Sequence, residues 1–141
     1  MLIRGCCHCG TISFTLDWMP DPAEIGVRAC TCAFCTKHGN VWTANPAAAL
    51  EVRITQPALV SKYAFETRTA DFHVCARCGI VPLATSEIDG NLYAVVNVNT
   101  FENVDKSLLR EVAVSFDGEQ TDARLARRKK NWIGSVKIAA G

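Results

Sequence analysis

Six consecutive residues carry three thiols: Cys30-Thr31-Cys32-Ala33-Phe34-Cys35, a C-x-C-x-x-C run. Such crowding suits neither core packing nor disulfides. A Cys30–Cys32 bridge would close a very small ring, and a disulfide asks for Cα atoms roughly 4.4–6.8 Å apart with a defined dihedral angle. A soft metal ion solves the problem differently. Zinc takes each sulfur at roughly 2.3 Å and so draws several thiolates onto one point. The run therefore reads as part of a metal site, carried on a loop or a pair of turns.

The other cysteines indicate what kind of site. Cys7 and Cys9 make a C-x-C pair inside Gly5-Cys6-Cys7-His8-Cys9-Gly10, with the two glycines placed where the backbone is expected to turn around a metal. Cys75 and Cys78 make a C-x-x-C-G knuckle, and Cys6 is left over as a bystander. A closed structural zinc takes four ligands, whereas a catalytic zinc takes three and keeps one position open. Seven thiols divide on that rule into four and three. Cys7, Cys9, Cys75 and Cys78 would hold a structural zinc that ties the N-terminal strand to a loop far down the chain. Cys30, Cys32 and Cys35 would hold a second zinc with a free corner, giving two zinc ions per chain. A closed alternative stands beside this: His38 follows Cys35 by three residues and would fill the corner as fourth ligand. Disulfides and an iron–sulfur cluster are the other options. A reducing compartment disfavours the first, and short C-x-C pairs are less typical of the second than of zinc.

With 141 residues, the chain suits one core. Hydrophobic content of 49% and charged content of 21% mark a folding chain. A formal net charge of +1 gives no global attraction to nucleic acid or to a membrane surface, and no run approaches the length of a membrane span. The start lacks the basic end, apolar run and cleavage site of a secretory signal, so the expected address is cytoplasmic. A mature secreted chain would begin in the same way.

Alternation marks strands over residues 11–16 (Ile12, Phe14 and Leu16 on one face), 51–54, 59–66, 92–98 and 112–116. Asp89-Gly90-Asn91 is a hairpin turn. Short helices are expected after the Asn45 cap with Pro46 at the first position, running to Leu50, and over residues 121–131; residues 132–138 fit either state. Trp18, Trp42, Phe65 and Trp132 are expected in the core, with one of them free to wall a pocket beside the metal. His8 and His73 are expected at the surface or just behind the ligands. The sum is a mainly β single domain over residues 1–141, with metal knuckles between short strands.

In this order, Gly5-x-Cys7-x-Cys9-Gly10, Cys30-x-Cys32-x-x-Cys35 and Phe72-x-x-Cys75-x-x-Cys78-Gly79 resemble the glutathione-dependent formaldehyde-activating enzyme family, which also includes centromere protein V. The motif-bearing part is about residues 3–100. The resemblance implies a zinc-binding fold of the β-tent type. It also implies carbon–sulfur lyase chemistry, in which formaldehyde and glutathione are joined as S-hydroxymethylglutathione. Carried over, Cys7, Cys9, Cys75 and Cys78 are the structural zinc ligands, and Cys30, Cys32 and Cys35 hold the catalytic zinc. The chain departs from the commoner pattern in three places. Thr36 follows Cys35 where members often carry Arg, Gly39 comes one residue early with His38 in the shortened gap, and Phe72 lies three residues before Cys75.

Two functions follow from these residues. A three-thiolate zinc with an open position can bind an incoming thiol and remove its proton, or polarise a carbonyl oxygen. Three thiolates on a dication leave the site net negative, which favours thiol binding. Lys37 and His38 would then neutralise a substrate carboxylate or relay a proton, and Asn97 and Asn99, on one strand face, would hydrogen-bond a peptide-like substrate such as glutathione. The rival is a non-catalytic zinc-binding scaffold with two structural zincs. The basic run Arg124, Arg127, Arg128, Lys129 and Lys130 supports it, because such clusters touch phosphates; the same run serves equally as a patch that attracts an anionic thiol. No membrane or nucleic-acid partner is expected, and a homodimer is left open.

Overall fold

The computed structural model describes residues 1–141. Eleven strands form two sheets. The smaller joins β1 (Leu2–Cys6), β2 (Ile12–Asp17), β5 (Ala49–Ile54) and β11 (Ser135–Ala140) in the order β1-β2-β5-β11. The larger has seven strands in the order β10-β3-β4-β9-β8-β7-β6. These are β3 (Ile25–Cys30), β4 (Val41–Thr43), β6 (Val60–Tyr63), β7 (Asp71–Cys75), β8 (Leu83–Ile88), β9 (Asn91–Asn97) and β10 (Leu109–Val114). Pairing is antiparallel except at one edge of each sheet, where β10 runs parallel to β3 and β11 parallel to β5.

Period-2 patterning explains how the layers close. In β2, Ile12, Phe14 and Leu16 are buried, and in β5 Leu50, Val52 and Ile54 are buried, so the small sheet presents one apolar face. That face packs on the inner face of the large sheet, where Ile25, Leu83, Ala94 and Val96 join the same cluster. Gly5 lies within β1, and its role is packing rather than turning. A Cβ there would fall inside contact distance of the Phe14 ring, so only glycine lets that ring lie across the strand. Gly10 does turn the chain, at φ +84°.

The central strand β9 is buried on both sides. Ala94 and Val96 face the inter-sheet core, while Val95 faces a second cluster with Trp42, Ala84, Trp132 and Cys35. That second cluster needs a cover, which comes from two helices: α1 (Ala33–His38) and α2 (Thr121–Asn131). The β8–β9 hairpin turns at Asp89 and Gly90, both with positive φ, as a two-residue turn between right-twisted strands requires.

Two expectations are corrected here. Residues 45–50 form no helix. The Asn45 side chain accepts from the Ala47 N–H (3.0 Å) and its carbonyl from Ala48 (2.9 Å), closing a turn that delivers the chain into β5. The thiol run, expected on a loop, instead enters α1.

Candidate metal centre

Two groups of thiols come together, and each stands where strands end. In the first, the four Sγ atoms of Cys7, Cys9, Cys75 and Cys78 all lie within 4.8 Å of one another. Cys7 and Cys9 follow β1; Cys75 closes β7 and Cys78 follows it. The two knuckles are built alike. Cys7 N–H donates to Ile12 O and Cys75 N–H to Ile80 O (2.9 Å each), and Gly10 and Gly79 then donate back to the Cys7 and Cys75 carbonyls. Sulfur separations are 3.8 Å for Cys7–Cys9 and 3.5 Å for Cys9–Cys75. All eight cysteines are free, and these distances far exceed a disulfide bond of about 2.05 Å. They match the edge of a tetrahedron of sulfurs at roughly 2.3 Å from a centre, about 3.8 Å. The donor set thus fits a four-coordinate soft metal ion. Thr11 Oγ1 lies 3.2 Å from Cys9 Sγ and holds that thiol down to about 6, while burial pushes the Cys7 thiol up to about 12.

Cys6 stands apart. Its Sγ donates to Glu102 Oε1 (2.9 Å), and this hydrogen bond pushes the thiol up to about 11. His8 is exposed. His73, expected at the surface or just behind the ligands, is buried with Nε2 2.8 Å from Thr85 Oγ1, and burial lowers its imidazole to about 4. It is a core histidine.

The second group comprises Cys30, Cys32 and Cys35, again with all Sγ atoms within 4.8 Å. Cys30 ends β3. Cys32 is the N-cap of α1, where its sulfur accepts from the Cys35 N–H (3.4 Å), in the manner of a capping hydroxyl. Cys35 is buried and accepts from the Trp42 indole N–H at 3.4 Å. Within the triplet, the hydrogen bond from Cys35 holds Cys30 down to about 5, and the same contact pushes Cys35 up.

His38 does not join these thiols. It is exposed at the far end of α1 and packs on Phe34 one turn back, the rings tilted with centroids 4.7 Å apart. Phe34 in turn packs against Tyr63, Phe65 and Phe72. Lys37 is exposed as well. Asn97 and Asn99 serve the fold. Asn97 Nδ2 donates to Asn40 Oδ1 and Val81 O, and Asn99 Nδ2 to Gly39 O, fixing the exit of α1.

The three sulfurs open onto a cavity of about 110 Å³. Trp42, Phe65, Phe72 and Trp132 form its apolar wall, and Arg28, Arg124, Arg127 and Arg128 its basic wall. Trp42 and Trp132 are thus both core and pocket. The last three arginines come from α2, the helix expected at residues 121–131. Arg28 went unnoticed in the sequence, although alternation puts it on the same strand face as Cys30, two residues on. Glu119 takes up two of these charges. Arg127 binds it through Nε (3.0 Å) and Nη2 (3.1 Å), and Arg124 Nε lies 3.4 Å from it, with Arg124 also pairing Glu66.

The model of the family described as glutathione-dependent formaldehyde-activating enzyme matches residues 2–117. The chain belongs to this family. A crystal structure of a Rhodobacter sphaeroides protein is similar at 27% identity and a TM-score of 0.60, covering 79% of this chain and 99% of that one. The match to the glutathione-dependent formaldehyde-activating family includes both cysteine groups and ends before α2. No helix is long and apolar enough to cross a membrane.

Proposed function

We propose that the protein is a zinc-dependent enzyme of the carbon–sulfur lyase type. It would act on the adduct of a small thiol and an aldehyde, with glutathione and formaldehyde as the family pair. On this reading, residues 1–141 are one domain holding two zinc ions. Cys7, Cys9, Cys75 and Cys78 ligate the structural ion, and Cys30, Cys32 and Cys35 the catalytic one. The observation that carries it is the placement of three gathered sulfurs in the lining of a cavity while His38 packs on Phe34. A scaffold role would call for a closed fourth corner, and His38, the fourth ligand that the spacing offers, packs on Phe34 instead. Eight free thiols fit a reducing compartment, and we place the protein in the cytoplasm.

When bound, zinc would favour the thiolate form of an incoming thiol. The chain's own groups do the rest. The Trp42 N–H orients the Cys35 sulfur and withdraws charge from it. The aromatic wall keeps water from the sulfur side of the cavity. The arginine wall attracts an anionic substrate and holds it against that side.

Metal analysis with thiol titration tests the reading. Wild type and His38→Ala should each carry two zincs and bind 2-mercaptoethanol, and Cys32→Ser should carry one. A single zinc in His38→Ala would mean that the imidazole closes the site, and the enzyme reading would give way to the scaffold.

A further inference from the structure

The basic wall is not neutralised evenly. Glu119 and Glu66 account for Arg127 and Arg124. Arg28 and Arg128 form no ion pair. Arg28 is only half-buried, and Arg128 is the more deeply buried of the two. It is 7% exposed, yet no carboxylate pairs with it. One of its terminal nitrogens donates to Thr69 Oγ1 (2.8 Å) and Ser86 Oγ (3.3 Å), its guanidinium lies over the Trp132 ring at 5.0 Å, and its Nε has no partner. A buried guanidinium without a counter-ion is costly, and this one faces the same cavity as the thiols.

We propose that Arg128 is the specificity-determining residue of this pocket: it receives the carboxylate of a small thiol whose sulfur lies at Cys30, Cys32 and Cys35. This rests on the thiol-binding reading above and names its substrate class. The occupant is a carboxylate-bearing thiol because one cavity is lined by the three thiols, by aromatic rings and by a buried guanidinium with no carboxylate partner. At about 110 Å³, it has room for several waters and admits a short thiol acid or the matching end of a larger one. Thr69 and Ser86 hold the guanidinium from behind, so its remaining donors are set before the substrate arrives. Arg128 lies beyond residue 117, outside the stretch that matches the family, so this selectivity belongs to the C-terminal helix of the chain.

The test compares 3-mercaptopropionate, 2-mercaptoethanol and propionate on the zinc-loaded protein. Calorimetry gives the affinities, and the fluorescence of Trp42 and Trp132 reports entry into the pocket. Wild type should prefer mercaptopropionate to mercaptoethanol by roughly tenfold or more, as a charge-assisted hydrogen bond supplies, and added chloride should erode that preference. In Arg128→Met the ratio should fall to about one, with Arg128→Lys between the two. If Arg128→Met does not fold, the wild-type ratio, its chloride dependence and the Arg128→Lys value still decide. No preference in wild type overturns the proposal, as does a preference that survives Arg128→Met. Failure of the thiol reading looks different: neither thiol would bind better than propionate, while Arg128-dependent binding of propionate would leave the carboxylate site standing. Absence of binding by both acids overturns that site.

Discussion

At the scale of the residue, the decisive contact is the Trp42 N–H on Cys35 Sγ. Trp42→Phe keeps an aromatic ring in the wall and removes only the donor. Groups that hydrogen-bond to a metal ligand typically govern 10–100-fold in metal affinity. Competition against a chromophoric chelator should therefore find one of two zincs held at least about tenfold more weakly in Trp42→Phe. Weakening of both ions, or of neither, would separate this contact from the triplet's metal. Much at this scale was legible in the sequence. Every gathered thiol had been marked by spacing, because short C-x-C and C-x-x-C intervals leave a soft ion as the natural solution. The direction of His38 was not legible. Spacing alone allows it to reach the thiols or Phe34, and the aromatic cluster decides for Phe34. Nor was the burial of His73, a polar residue between Phe72 and Val74 that owes its place to Thr85 on the neighbouring strand.

At the scale of the element, α1 is the device that shapes the triplet. Six residues are too few for a periodic signal, and a thiol at the N-cap does not look like a cap in sequence. The helix stops at Gly39, which has φ +70° and donates its N–H back to Cys35 O. Gly39→Ala should cost about 1 kcal/mol, because any side chain is strained there while the space around it is free. In a domain this size that is a drop of about 4 °C in Tm by circular dichroism; no change would mean that α1 ends without needing the left-handed turn. Strand β9 was legible through its alternation, and α2 through its position after a polar turn. Strand β11 was not. Its residues are mostly exposed, and it is held by parallel pairing with β5, a partner more than eighty residues back. Long-range pairing of this kind leaves no mark on local patterning.

At the scale of the whole molecule, the two cysteine groups differ in what they join. The triplet lies on the outer face of one sheet, between β3 and a helix that follows it directly, so a metal there closes a short stretch of chain. The group of four joins the end of β1, in the small sheet, to the end of β7, in the large one, across a sequence separation of 66 between Cys9 and Cys75. A link across so long a loop removes far more freedom from the unfolded chain, and a structural site of this type contributes its binding energy to folding. Cys75 is also fully buried. Cys75→Ser should therefore lower Tm by roughly 10 °C or more, corresponding to several kcal/mol, whereas Cys32→Ser should lose a metal ion with a shift of only a few degrees, about that of a lost cap. Adding a strong chelator should bring wild type close to Cys75→Ser if the ion makes the difference. It should leave them apart if the loss comes from a hydroxyl placed in an apolar core. Equal shifts for the two variants would mean that the groups share the structural task, and the division into one group that holds the fold and one that serves the cavity would fall.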